Sequence, residues 1–135
     1  MFKKTLLLIA TIGVINFLAW MLVSQIFSVM FTSVALEYQN PYLFRANSDP
    51  LMLLFFAYPF LMAAVLAWLW GKTKNVFSNN GIKFGFAYWV VATVPGMFAT
   101  YTSMPYSFLV VLSWTISGLI QAIIAGLILS KFDKN

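Results

Sequence analysis

The chain has no cysteine, no histidine, and only three acidic side chains, Glu37, Asp49 and Asp133. Each absence removes a class of chemistry. Without cysteine there is no disulfide and no thiol redox centre. Without cysteine or histidine, zinc has no ordinary ligand set, and acid–base catalysis near neutral pH loses its usual agent. Charge is scarce as a whole. Charged residues make up 8% of the chain and hydrophobic ones 62%, whereas soluble domains carry about 25% charged residues. A domain this small exposes much of its surface, and so few charges cannot cover it. The expected solvent is the lipid bilayer.

Four long apolar runs are present, over about residues 5–31, 51–70, 84–102 and 108–130. Each reaches the roughly 20 residues that cross a hydrocarbon core. The first is longer and should tilt or extend past the outer interface. Lys3 and Lys4 precede it and Ser33-Val34-Ala35 looks like a cleavage site, but the run is about twice a signal-peptide core, so it is read as a retained span. The predicted fold is all-α: one domain over residues 1–135, a membrane-embedded bundle of four transmembrane helices.

The connections alternate in charge. Lys3, Lys4, Lys72, Lys74, Lys83, Lys131 and Lys134 fall on one side of a four-span chain, and only Arg45 on the other. The positive-inside rule then places both termini in the cytoplasm and the protein in the cytoplasmic membrane. The net charge of +5 is thus a topology signal, with attraction to anionic lipid as a by-product, and nucleic acid is not an expected partner. Tyr38, Tyr42, Tyr101 and Tyr106 are assigned to the outer interface and Trp68 and Trp70 to the inner one, as an aromatic belt. Asp49-Pro50 reads as a helix start, Asn80-Gly81 as a tight turn, and 32–49 as a partly helical interfacial segment.

Two prolines sit inside spans. Pro95 precedes Gly96 in "VATVPGMFATY", and Pro59 poses the same problem in the second run. Each lacks an N–H and crowds a carbonyl one turn back. Lipid cannot hydrate a loose backbone, so kinks within continuous helices are expected near Pro59 and Pro95.

On a helical wheel the fourth run separates into two arcs. Leu109, Leu112, Ile116, Leu119, Ile120, Ile123 and Leu127 form an aliphatic arc expected to face lipid. Ser113, Ser117, Gly118, Gln121, Ala122, Ala125 and Gly126 form the arc expected to face protein. Small residues repeat every four positions at Gly118, Ala122 and Gly126, at Ala63, Ala67 and Gly71, and at Ala92, Gly96 and Thr100. Such ridges let helices approach closely. Asn16 and Gln121 are expected to hydrogen-bond between helices. The alternative is that Asn16, Gln25, Ser117 and Gln121 line a small polar cavity, although Asn16 and Gln25 point to opposite sides of the first helix.

No span contains a carboxylate or a histidine, which disfavours proton-coupled transport. The first span has Asn16 where small multidrug transporters need a glutamate, and quinone-linked disulfide oxidoreductases need the cysteines that are missing. The seven methionines are spread along the chain, which suits core filling better than copper ligation. No cofactor is expected. The leading expectation is a non-enzymatic bundle that packs with itself or with another membrane protein. The alternative is a passive or exchange-type pathway for a small neutral or apolar solute. An interfacial enzyme would have to draw on Glu37, Arg45 and Asp49. The lysine-led first span, the "GIKFG" start of the third and the closing "SGLIQAIIAGLILSKFDK" resemble uncharacterised small four-span bacterial membrane proteins. That resemblance implies no activity and transfers no functional residue.

Overall fold

The computed structural model describes residues 2–46 and 48–133. Lys134, counted above with the lysine-rich side, lies outside the described residues. The described residues form helices and connections only. Helix α1 spans Phe2–Met30, α2 Thr32–Tyr38, α3 Met52–Phe55, α4 Tyr58–Thr73, α5 Gly81–Tyr88, α6 Val94–Ser103 and α7 Phe108–Phe132. A π-helical turn, Trp89–Thr93, joins α5 to α6. Four stretches are long and apolar enough to cross a membrane: Lys3–Met30, Met52–Thr73, Gly81–Ser103 and Phe108–Phe132.

Helix α7 is the hub, with α1 and α5 packed along it. Ile12, Ala63, Leu66, Trp70, Phe84, Ala125 and Leu129 meet in the main core, so all four long stretches contribute. Trp70 stacks edge-on to Phe84 with ring centroids 5.2 Å apart. Its ring is buried in the core, and its Nε1–H reaches Asp133 Oδ2 near the end of the span. Trp68, Tyr42 and Tyr101 are exposed.

Near both prolines the helical hydrogen-bonding pattern changes while the backbone stays helical. Between α3 and α4 the chain tightens into one-to-four bonds, Phe56 N–H to Leu53 O at 3.2 Å and Ala57 N–H to Leu54 O at 3.0 Å. Pro59 then lies in the first turn of α4, where a missing N–H costs nothing. In the third span the disturbance precedes Pro95: the Val94 N–H donates to Trp89 O, five residues back. Widening the turn accommodates a residue that cannot donate, and the polypeptide stays helical through to Ser103.

Asp49 accepts the Leu51 N–H at 2.9 Å, but the regular helix starts only at Met52. The turn before the third span is made by Ser78 and Asn79, with φ of 52° and 55°. Gly81 is already helical, and the Asn80 side chain caps α5 by accepting from the Lys83 N–H at 3.0 Å.

Candidate functional site

The closest helix contact lies between α5 and α7. A β-carbon added to Gly81 would run into the carbonyl oxygen of Gly126, and one added to Gly126 would run into that of Gly81. At Gly85 it would strike the carbonyl of Ala122. Each glycine Cα–H at the Gly81–Gly126 contact thus points at the other helix's carbonyl, a weak but recurrent helix–helix contact. Trp89 and Thr93 continue the same four-residue spacing toward α6. The Trp89 Nε1–H donates to Thr115 O at 2.8 Å, and a β-carbon on Gly118 would meet Thr93 Cγ2 at 2.7 Å.

This seam corrects one expectation and supplies a contact the wheel missed. Gly118, Ala122 and Gly126 lie against α5 and its π turn, within the same chain. Ala92 and Gly96 do not pack there; both are exposed, and nothing lies within 4 Å of a β-carbon built on Gly96. Ala92 is one position before Thr93, so it sits about 100° round the helix from the face that meets α7. The pair in contact is Gly81 and Gly85, the two glycines of "GIKFG". Their spacing of four was the available signal. In the second span, Ala63 is buried while Gly71 faces open space.

Along the other side of α7 runs a polar stripe facing α1. Ser113, Ser117 and Gln121 are buried, as is Asn16 on α1. The Gln121 Nε2–H donates to Asn16 O at 2.9 Å, and the Ser113 hydroxyl donates to Val110 O at 2.7 Å. Asn16 Oδ1 and Ser117 Oγ have no hydrogen-bond partner. Gln25 is exposed near the outer end of α1, away from this stripe. The stripe lies within direct helix packing. Two cavities lie elsewhere: an apolar one of about 310 Å³ between α4 and α5, and one of about 260 Å³ beside Tyr38, Phe44 and Arg45.

The segment between α2 and α3 is fastened by aromatic rings and one carboxylate. Phe44, Tyr106 and Tyr38 surround Trp114 with ring centroids 5.1–6.5 Å away. The Trp114 Nε1–H donates to Tyr38 Oη at 2.8 Å. Glu37 Oε1 accepts the Ser107 N–H at 2.7 Å, at the start of α7. A carboxylate there satisfies a free donor and faces the positive end of the helix dipole. Thus Glu37 does not converge with Arg45 and Asp49, which pair with each other at 2.8 Å. At the opposite end, Asp133 Oδ2 accepts from Lys74 Nζ at 2.7 Å and Trp70 Nε1 at 3.3 Å, tying α7 to α4.

The hydrogen bond from Arg45, with help from the Leu51 N–H, holds the Asp49 carboxyl below the usual carboxylate range. Its folded value lies under the unfolded one of about 3.9. The contribution of the charge is therefore complete above the unfolded value and fades as pH falls through the folded one. Thermal unfolding in detergent should separate wild type from Asp49→Asn near neutral pH, and the two should converge once the pH falls below the folded carboxyl's lowered value. A gap that persists in acid would show that the charge is not what matters.

No protein-family model matches this chain, and no curated protein or solved structure matches it.

Proposed function

We propose that this protein is a non-enzymatic, multi-pass component of the cytoplasmic membrane, with both termini on the lysine-rich cytoplasmic side and an accessory role exercised through packing with itself or with another membrane protein. The observation that carries this reading is the inverted polarity of the bundle. Asn16, Ser113, Ser117 and Gln121 are buried, while Leu7, Leu22, Val29, Leu53, Val91 and Phe98 are each at least 60% exposed. Water would reverse that order; hydrocarbon favours it, because polar side chains then find partners between helices.

Other observations support the packing role over the alternatives. Gln121 bonds directly to the α1 backbone, which suits polar contact between helices better than a solute path. Glu37, Arg45, Asp49 and Asp133 each have a structural partner, which gives the acids work without catalysis. The test uses the native absence of cysteine. A single cysteine at Ser48 should react with an impermeant thiol reagent in intact cells, and one at Ser78 should be shielded; the reverse pattern would overturn the orientation. A cysteine at the open position Gly96 should cross-link in native membranes to a second copy or to a larger species. Absence of both products from every exposed apolar position would count against an accessory role.

A further inference from the structure

Helices α4 and α5 both lie against the hub, but their backbones stay apart and side chains bridge them; beside those side chains is a cleft of about 310 Å³. That volume is at the lower end of ligand-sized cavities, about 300–1,000 Å³. One wall is Leu69 and Thr73 of α4; the other is Phe84, Tyr88 and Val91, at helical spacing along α5 and the π turn. Two of the lining residues also reach α4: Phe84 through its ring contact with Trp70, and Tyr88 through its hydroxyl, 3.5 Å from Met62 Sδ. The cleft opens outward past Val91, which is 76% exposed. From Phe84 to Val91 it runs two helical turns, about 10 Å along the axis. Its wall is apolar: Thr73, the one lining hydroxyl outside the tyrosine, is spent on Leu69 O at 2.8 Å.

The two ends of the cleft differ. One reaches the middle of the third span. The other is bordered by Thr73, Phe77 and Phe84, at the connection between α4 and α5. Lys72 and Lys74 flank Thr73, and Lys83 adjoins Phe84. Lys74 is held by Asp133, whereas Lys72 and Lys83 are exposed and in no salt bridge among the described residues. An open apolar cleft, with exposed lysines next in sequence to its lining residues, matches an acyl chain whose headgroup is anionic. A second copy of the chain fits less well, since it would bring another lysine-rich end against this one.

Resting on the membrane-spanning reading above, we infer that the α4–α5 cleft holds an acyl chain of an anionic phospholipid from the lysine-side leaflet, with Lys72 and Lys83 over its phosphate. The full chain, delipidated in non-ionic detergent and offered equal phosphatidylglycerol and phosphatidylcholine, should retain phosphatidylglycerol in intact-complex mass spectrometry. The preference should be about tenfold or more, the effect of two lysines beside an anionic headgroup. The exposed double variant Lys72→Gln/Lys83→Gln should bring the ratio near one without changing the melting temperature. Ala87→Phe, which fills the cleft, should reduce retention of both lipids. Equal retention by wild type, or an unchanged preference in the lysine variant, would overturn the inference while leaving the chain in the membrane. Release of the protein from vesicles by alkaline carbonate would remove the membrane reading itself, and this inference with it.

Discussion

Replacing Gly126 with alanine should destabilise the bundle by about 1–3 kcal/mol or more, because one methyl group must displace backbone rather than side chain. The added carbon would occupy the position of the Gly81 carbonyl oxygen. Gly81→Ala and Gly85→Ala should behave alike, since each meets a carbonyl of α7. Gly118→Ala and Gly13→Ala should cost less. Their obstacles are the Thr93 methyl and the Phe60 ring, which can turn aside. Gly71→Ala and Gly96→Ala face open space and should be neutral, or stabilising by roughly 0.5–1 kcal/mol through helix propensity. Unfolding of the seven variants in mixed micelles, followed by circular dichroism, checks the order. If Gly126→Ala unfolds no more easily than Gly96→Ala, the α5–α7 seam is not where the structure places it. The series also separates two meanings of a small-residue ridge: one buried within the chain and one left exposed.

Trp114→Ala should be the most damaging single change at the outer end, at about 3–5 kcal/mol, the usual cost of deleting a large packed aromatic. The indole is the common neighbour of Tyr38, Phe44 and Tyr106, and it also donates to Tyr38 Oη. Losing it should free the segment after α2 from α7, raising amide exchange at Leu43 and Phe44 well above that in the spans. Trp114→Phe keeps a ring and loses only the N–H donor, so it should cost about 1 kcal/mol. Unchanged exchange in the alanine variant would mean that the segment is held instead by Tyr106, whose hydroxyl donates to Leu43 O at 3.3 Å, and Tyr106→Ala would then become the damaging substitution.

The spans themselves were legible because length and apolar content suffice to define them. The two faces of α7 were also legible, because Ser113, Ser117 and Gln121 repeat at the helical period in an otherwise aliphatic run. The partner of each face was not. A wheel shows that Gly118, Ala122 and Gly126 share a side, but not that "GIKFG" covers it. The Ala92–Gly96–Thr100 ridge is as regular in sequence as Gly81–Gly85, and only the rotation of α5 and its π turn against α7 separates the packed ridge from the open one. Nor could the wheel place Trp70 in the core while leaving Trp68, two residues earlier, exposed.

The amino-acid sequence alone determined that four helices are long and apolar enough to cross a membrane, which connections carry the lysines, and the absence of thiol and imidazole chemistry, since these follow from composition and from order along the chain. Tertiary structure decided which glycines are contacts, how Pro59 and Pro95 are accommodated, and where a cleft remains. Those depend on the relative rotation and separation of helices distant in the chain, which local periodicity does not specify.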